Sequence, residues 1–116
     1  MDDTKYEIAF QLIMEAGNSK AESMSAIQAA RQGDMEQANL FLKNAETEMR
    51  KAHQLQIDMI QEEAAGKPVD VNIILVHAQD HLTMAIMARD MAEEMIEMYR
   101  MCSEVKTLVK QEAGRM

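Results

Sequence analysis

Apolar positions along the last third of the chain repeat with a helical period and leave two faces of one helix to be buried. Alternate steps of four and three residues from Ile73 generate an uninterrupted heptad series, which we call the seam. The seam consists of Ile73, His77, Asp80, Met84, Met87, Met91, Glu94, Met98, Met101, Val105 and Leu108. A second series on nearly the opposite side of this helix consists of Leu75, Ala78, Leu82, Ala85, Ala92, Ile96 and Tyr99. We expect the second series to pack on the rest of the chain and the seam to contact other subunits.

Two earlier segments carry the same helical period and end at helix-breaking signals. Gly33 suits the left-handed position that follows a helix, and Asp34 suits the N-cap of the next one. The second segment stops at Gly66 and Pro68, after which Asp70 is a candidate N-cap for the third helix. The chain is predicted to be an all-α, antiparallel three-helix bundle that forms a single domain over residues 1–116. The helices are expected at about 4–32, about 35–65 and about 71–112.

The third helix is expected to be longer than the other two, because no helix-breaking residue interrupts it before Gly114. At about 1.5 Å per residue it would extend roughly 60 Å, which helices of about 30 residues cannot cover. We therefore expect its C-terminal turns to project or to pair between subunits.

Composition supports a helical core and excludes two classes of partner. The chain has two Phe, two Tyr, no Trp and 13 Met, which favours a bundle of Ala, Leu, Ile and Met over a sheet. Its net charge of −8 argues against nucleic acids and anionic membranes. The single cysteine, Cys102, forms no internal disulfide, and no apolar run reaches the ~20 residues of a membrane span. A cytoplasmic protein is expected.

The five residues from His77 to His81 concentrate groups that bind protons, metals or phosphate. On a helix His77 and His81 lie one turn apart, and Asp80 lies beside His77 on the seam. The residues alone leave three interpretations open. The histidines are satisfied polar residues near an interface, or one of them is a nucleophile. Alternatively, His77, Asp80 and His81 bind a metal, either zinc for catalysis or a metal in a non-catalytic helical oligomer.

A nucleophilic histidine would suit phosphoryl transfer. Imidazole has a reference pKa of about 6.5, so it is mostly unprotonated at cytoplasmic pH and can accept a phosphoryl group without an elaborate base. Asp80 adds a second expectation. In a symmetric oligomer its copies would meet near the axis and repel one another unless they are protonated or bridged by a cation. A ring of carboxylates favours a hard cation such as magnesium or calcium.

The seam methionines also have two interpretations. Their spacing would allow copper(I) binding through thioether sulfur, but flexible methionines on a heptad seam more simply fill a core between helices. Glu94 is the anomaly in this apolar stripe, and it either turns outward or pairs with a cation.

Three stretches resemble the enzyme IIA proteins of the lactose/cellobiose branch, with its oligo-β-glucoside and chitobiose members, of the bacterial phosphoenolpyruvate-dependent sugar phosphotransferase system. The family's phosphohistidine segment is similar to VNIILVHAQDHLTMAIMARDMAEEMIEMYR. Its first helix and Gly-Asp hairpin resemble EAGNSKAESMSAIQAARQGDMEQA, and the end of its second helix resembles KAHQLQIDMIQEEAAG. The motifs VHAQDHL, Gly-Asp and AHxxQ carry this resemblance over nearly the whole chain.

The resemblance implies a homotrimer assembled through the third helix. It implies that His77 accepts phosphate from the histidine phosphocarrier protein and passes it to a cysteine of the IIB component. That component then phosphorylates the sugar as it enters through the membrane IIC component. A β-linked disaccharide such as cellobiose or chitobiose is the implied sugar.

Other motif positions receive roles from the same resemblance. Asp80 corresponds to the metal ligand at the trimer axis, usually described with magnesium. Gln79 and His81 correspond to supporting positions, with His81 as an orienting or structural partner of the nucleophile.

Overall fold

The computed structural model describes residues 4–115 of the chain, with side chains from residue 6 onward. Three helices account for most of it, and no strand occurs among these residues. They are α1, Thr4–Arg31; α2, Met35–Ala64; and α3, Ile73–Gly114. The predicted all-α three-helix bundle is confirmed, including the long third helix of 42 residues.

The connection between α1 and α2 is the predicted tight hairpin. Gly33 has a φ of +85°, a left-handed conformation in which a side chain would be strained. The Asp34 side chain accepts a hydrogen bond from the backbone N–H of Gln37 at 3.1 Å, which caps α2. The two helices are therefore antiparallel neighbours joined with almost no loop.

The predicted N-cap of the third helix is wrong. Asn72 caps α3, because its Oδ1 accepts a hydrogen bond from the backbone N–H of Leu75 at 2.9 Å. The chain stays non-helical up to Asn72, so α3 begins at Ile73. An N-cap side chain reaches only the second or third helical amide, and Asp70 precedes Ile73 by too many residues to do so.

The core is made of small side chains, which lets the helices approach closely. Most of its fully buried positions are alanines, among them Ala16, Ala45 and Ala78, each with no exposed surface. Buried Ser19 of α1 donates a hydrogen bond from its hydroxyl to the Ala45 carbonyl of α2 at 2.7 Å. Close packing of this kind makes the rotation of each helix about its own axis hard to change.

One face of α3 is buried against the rest of the chain, as predicted, and the opposite face is exposed. In the second series Leu75, Ala78, Leu82, Ala85, Ala92 and Ile96 are buried, and Tyr99 is half-buried. Every seam position is exposed in the single chain. The C-terminal turns of α3 project as expected, because residues 101–115 are all exposed and the longest extent is 75 Å. None of the described helices combines the length and apolar character that crossing a membrane requires.

A salt bridge joins α2 to α3 midway along the bundle. Arg89 of α3 lies 3.2 Å from the Glu46 carboxylate, which also accepts a hydrogen bond of 2.8 Å from Arg50. The hydrogen bond from Arg50 and the charge of Arg89 lower the pKa of Glu46 below its ordinary value.

We expect Glu46→Gln to destabilise the protein at pH 7 by about 0.5–1 kcal/mol, because this pair is partly exposed. A carboxyl group whose pKa is lowered by folding stabilises the folded state above its unfolded pKa. That stabilisation is lost as the pH falls through the folded pKa. The difference between wild type and variant in urea unfolding should therefore shrink between pH 5 and pH 3.

The matched control is Glu48→Gln, since Glu48 pairs with Lys51 of the same helix at 3.3 Å. It should have the smaller effect at pH 7. A Glu46→Gln difference that is equal at pH 7 and pH 3 would contradict the role of the charge.

Candidate functional site

The motif from His77 to His81 lies in the first turns of α3. Ala78 and Leu82 point into the core and are completely buried, which fixes the rotation of the helix at this level. As a result, His77 and Asp80 are exposed, while Gln79 and His81 are half-buried at the edges of the core. The helix thus presents the predicted nucleophile outward and holds two of its predicted neighbours against the bundle.

The structure brings the two histidines of the motif together. Their Nε2 atoms are 3.1 Å apart, and the rings meet edge to face with centroids separated by 4.6 Å. Between neutral imidazoles such a contact requires one Nε2 to carry the hydrogen and the other to offer its lone pair. In the tautomer with His81 as donor, the lone pair of His77 Nε2 accepts this hydrogen bond and becomes available for nucleophilic attack when the contact opens.

Asp80 does not join the histidines in a metal site of one chain. Among the residues whose side chains are described, no group of three or more His, Cys, Asp or Glu side chains is arranged to hold a metal ion. The alternative of a metal bound through His77, Asp80 and His81 of one chain therefore lacks support. Asp80 instead lies on the exposed seam, and its carboxylate oxygens are of the hard type that magnesium prefers.

Gln79 is held by a residue of α2. The Gln56 side chain donates a hydrogen bond from Nε2 to the Oε1 of Gln79 at 2.5 Å, and this contact is partly buried. One turn further along, the Thr83 hydroxyl donates to the backbone carbonyl of Gln79 at 3.1 Å. Gln56 received no role from the sequence, although it is the glutamine of the AHxxQ motif, because spacing within α2 does not show which residue of α3 it meets.

A groove with a volume of about 260 Å³ lies beside the motif, between the end of α2 and the start of α3. Most of its lining is apolar, including Ile60, Val71 and Val76, with exposed fractions of 59%, 77% and 44%. Gln56 and Gln79 form part of its polar edge. Exposed apolar side chains around a shallow groove are typical of a surface that another protein covers.

The seam methionines and Glu94 are exposed in the single chain. The five methionines are 44–63% exposed: Met84, Met87, Met91, Met98 and Met101. Glu94 is exposed among them. Their role as a core between copies stays a prediction.

Comparison with known proteins identifies the family. The sequence profile described as "PTS system, Lactose/Cellobiose specific IIA subunit" matches residues 7–100. The lichenan-specific phosphotransferase enzyme IIA component of Bacillus subtilis is 42% identical over 104 residues, which cover 90% of this chain and 94% of that protein.

Two solved structures agree with this match. The cellobiose-specific enzyme IIA of Bacillus anthracis is 38% identical with a TM-score of 0.86, over 90% of this chain and 95% of that one. The IIA(Chitobiose) chain in a complex with HPr from the Escherichia coli phosphotransferase system is 28% identical with a TM-score of 0.74, over 85% and 96%. The three-helix fold, the HAQDH motif on its third helix and these matches together show that the chain belongs to the lactose/cellobiose family of IIA subunits of the sugar phosphotransferase system.

Proposed function

We propose that the protein is a phosphocarrier whose His77 accepts a phosphoryl group from the histidine phosphocarrier protein. The observation that carries the proposal is the exposed His77 ring with its Nε2 held 3.1 Å from the Nε2 of His81. A related IIA protein is known in complex with HPr, which supports a phosphocarrier of that kind as the donor. The group then passes to a cysteine of the IIB component, ahead of uptake through the membrane IIC component.

The chemistry asks little covalent work of the protein. One N–P bond on the donor breaks as another forms on Nε2 of His77, so catalysis rests mainly on positioning the two nitrogens in line. In this step the contact between the histidines opens, and the lone pair of His77 attacks phosphorus. The freed N–H of His81 can then donate to a phosphoryl oxygen. His81 thus orients the nucleophile first and stabilises the product afterwards.

We further propose that the seam of α3 assembles the protein as a homotrimer. A heptad stripe that is apolar over most of its length and exposed in one chain is complementary to copies of itself. The stripe continues through Met101, Val105 and Leu108, beyond residue 100 where the family match ends. Within the described part of the chain these last turns are exposed, and pairing between copies would bury them.

Assembly would also decide where Gln79 acts. His77 and Gln79 are two residues apart, and such residues do not face each other on a helix. The His77 side chain is exposed, whereas the Gln79 side chain turns toward α2 and accepts a hydrogen bond from Gln56. Gln79 can support transfer at His77 only if it reaches the His77 of a neighbouring copy.

The sugar is proposed from the relatives, since no part of this chain need contact it. Related IIA components are named for lichenan, cellobiose and N,N'-diacetylchitobiose. A β-linked disaccharide such as cellobiose or chitobiose is therefore the proposed cargo, and a cytoplasmic site of action is proposed with it.

The first test is phosphorylation by the complete donor chain. After incubation with phosphoenolpyruvate, enzyme I and the histidine phosphocarrier protein, we expect intact-mass measurement to show one acid-labile phosphate on the wild type. His77→Ala should show none, because the accepting nitrogen is gone. His53→Ala is the matched control, since His53 is an exposed histidine of α2 and should leave the phosphate in place. Phosphate on His77→Ala would refute the assignment.

A second test concerns assembly. We expect light scattering to give about three times the 13.2 kDa chain mass for the wild type and a lower mass for Met91→Lys, which puts charge into the seam. Met14→Lys is the control, because Met14 on α1 is 60% exposed against 50% for Met91 but lies outside the seam. Equal masses for all three proteins would contradict assembly through α3.

The third test concerns magnesium at Asp80. If three carboxylates converge, added magnesium should raise the thermal midpoint of the wild type by offsetting their repulsion. Asp80→Asn should make the midpoint insensitive to magnesium, whereas Glu94→Gln, two heptads away on the same seam, should not. A magnesium response that survives in Asp80→Asn would place the ion elsewhere.

A further inference from the structure

The AHxxQ motif of α2 has no role in the phosphocarrier function described above, yet its glutamine contacts the site. The side chain of Gln56 reaches across from α2 to Gln79 of α3, with 2.5 Å between Nε2 and Oε1. His53, the other polar member of the motif, is exposed on α2, and none of the contacts described for the site involves it. Of the motif's polar residues, Gln56 is therefore the one in a position to influence transfer.

The two ends of a glutamine amide have opposite effects beside a phosphoryl group. Phosphoryl oxygens only accept hydrogen bonds, so the NH₂ end of the amide stabilises them and the carbonyl end repels them. A free glutamine side chain presents either end with similar ease, because a half-turn of the amide exchanges them. A glutamine that supports phosphoryl transfer needs something that fixes this half-turn.

We propose that Gln56 is a positioning residue that fixes the amide of Gln79 for phosphoryl transfer. Its N–H occupies the carbonyl oxygen of Gln79, which leaves the NH₂ group of Gln79 as the end available to a phosphoryl group. This inference rests on the proposed function, in which Gln79 serves the His77 of a neighbouring copy. It adds that a residue of α2, which touches neither substrate nor nucleophile, selects which end of Gln79 is presented.

The surroundings of the two glutamines help Gln56 to fix the orientation of the Gln79 amide. Both glutamines lie at the edge of the groove, beside Met59, Leu75 and Val76. Both are half-buried, so water competes less for their amides than it would on an open surface. Ala52 of α2 and Ala78 of α3, which lie close in sequence to the two glutamines, are fully buried in the same core cluster. The core thus anchors both helix segments that carry the hydrogen-bonded glutamines.

Two substitutions at Gln56 should slow phosphoryl transfer to different degrees. Gln56→Met keeps the approximate shape and removes the hydrogen bond, so the Gln79 amide is free to turn. Gln56→Glu can only accept at neutral pH, which forces Gln79 to donate toward α2 and to present its carbonyl to the phosphoryl group. The rate of transfer should therefore decrease from wild type to Gln56→Met and again to Gln56→Glu.

The experiment is rapid-quench, single-turnover transfer from the phosphorylated histidine phosphocarrier protein, at increasing concentrations of that protein. We expect Gln56→Glu to lower the maximal rate about ten- to hundredfold, the range for one hydrogen bond to a charged group. The maximal rate is the test, because the concentration for half-maximal rate also reports docking at the groove whose edge Gln56 lines. Gln61→Glu is the matched control for added charge, since Gln61 is an exposed glutamine of α2 outside the groove and should transfer at the wild-type rate.

A double-mutant cycle separates positioning from a general effect on structure or charge. In a Gln79→Met background there is no amide to orient, so adding Gln56→Glu should slow transfer no further. If the two substitutions slow transfer independently, or if Gln56→Glu transfers at the wild-type rate, the positioning role is refuted. If wild type itself accepts no phosphate from a charged donor, the phosphocarrier function fails instead.

Discussion

Close packing of small side chains fixes the rotation of α3, and the other features of the molecule depend on that rotation. Alanines and serines cover the facing surfaces of the helices, so each backbone approaches its neighbours with little room for adjustment. One residue of a helix corresponds to a turn of about 100°. A slip of one residue that put His77 in the place of Ala78 would therefore bury His77 and break up the seam.

The site that results is built from side chains on different edges of one helix. His77 and Asp80 are exposed, and the His81 ring contacts the His77 ring. Gln79 lies on another edge of the helix and is hydrogen-bonded to Gln56 of α2. An arrangement of this kind suits a carrier that must accept a group and release it. In the proposed function the nucleophile stays accessible, its Nε2 contacts the imidazole of His81, and Gln79 serves a neighbouring copy.

The apolar surface of the protein is also divided between a buried face and exposed faces. The inner face of α3 is covered by its own chain, while the outer face and the groove near Val76 leave apolar side chains in contact with solvent. The exposed heptad face would suit lasting pairing between copies, whereas the shallow groove between the end of α2 and the start of α3 would suit a partner that binds briefly. Permanent assembly and transient docking would thus use separate surfaces of the same helix pair.

The sequence by itself determined the helices, the tight hairpin at Gly33 and Asp34, the two faces of α3, and the placement of His77 and His81 one helical turn apart. These follow from local periodicity, capping chemistry and motif spacing, which one stretch of chain contains in full. The sequence placed the N-cap of α3 on Asp70, which was wrong. Asp70 and Asn72 are both capping residue types, and the path of the chain selects Asn72. Tertiary structure alone decided that the two histidines share a hydrogen bond while Asp80 stands apart, and that Gln56 meets Gln79 across 23 positions of sequence. Such contacts depend on the distance and rotation between packed helices, which no spacing within a single helix encodes.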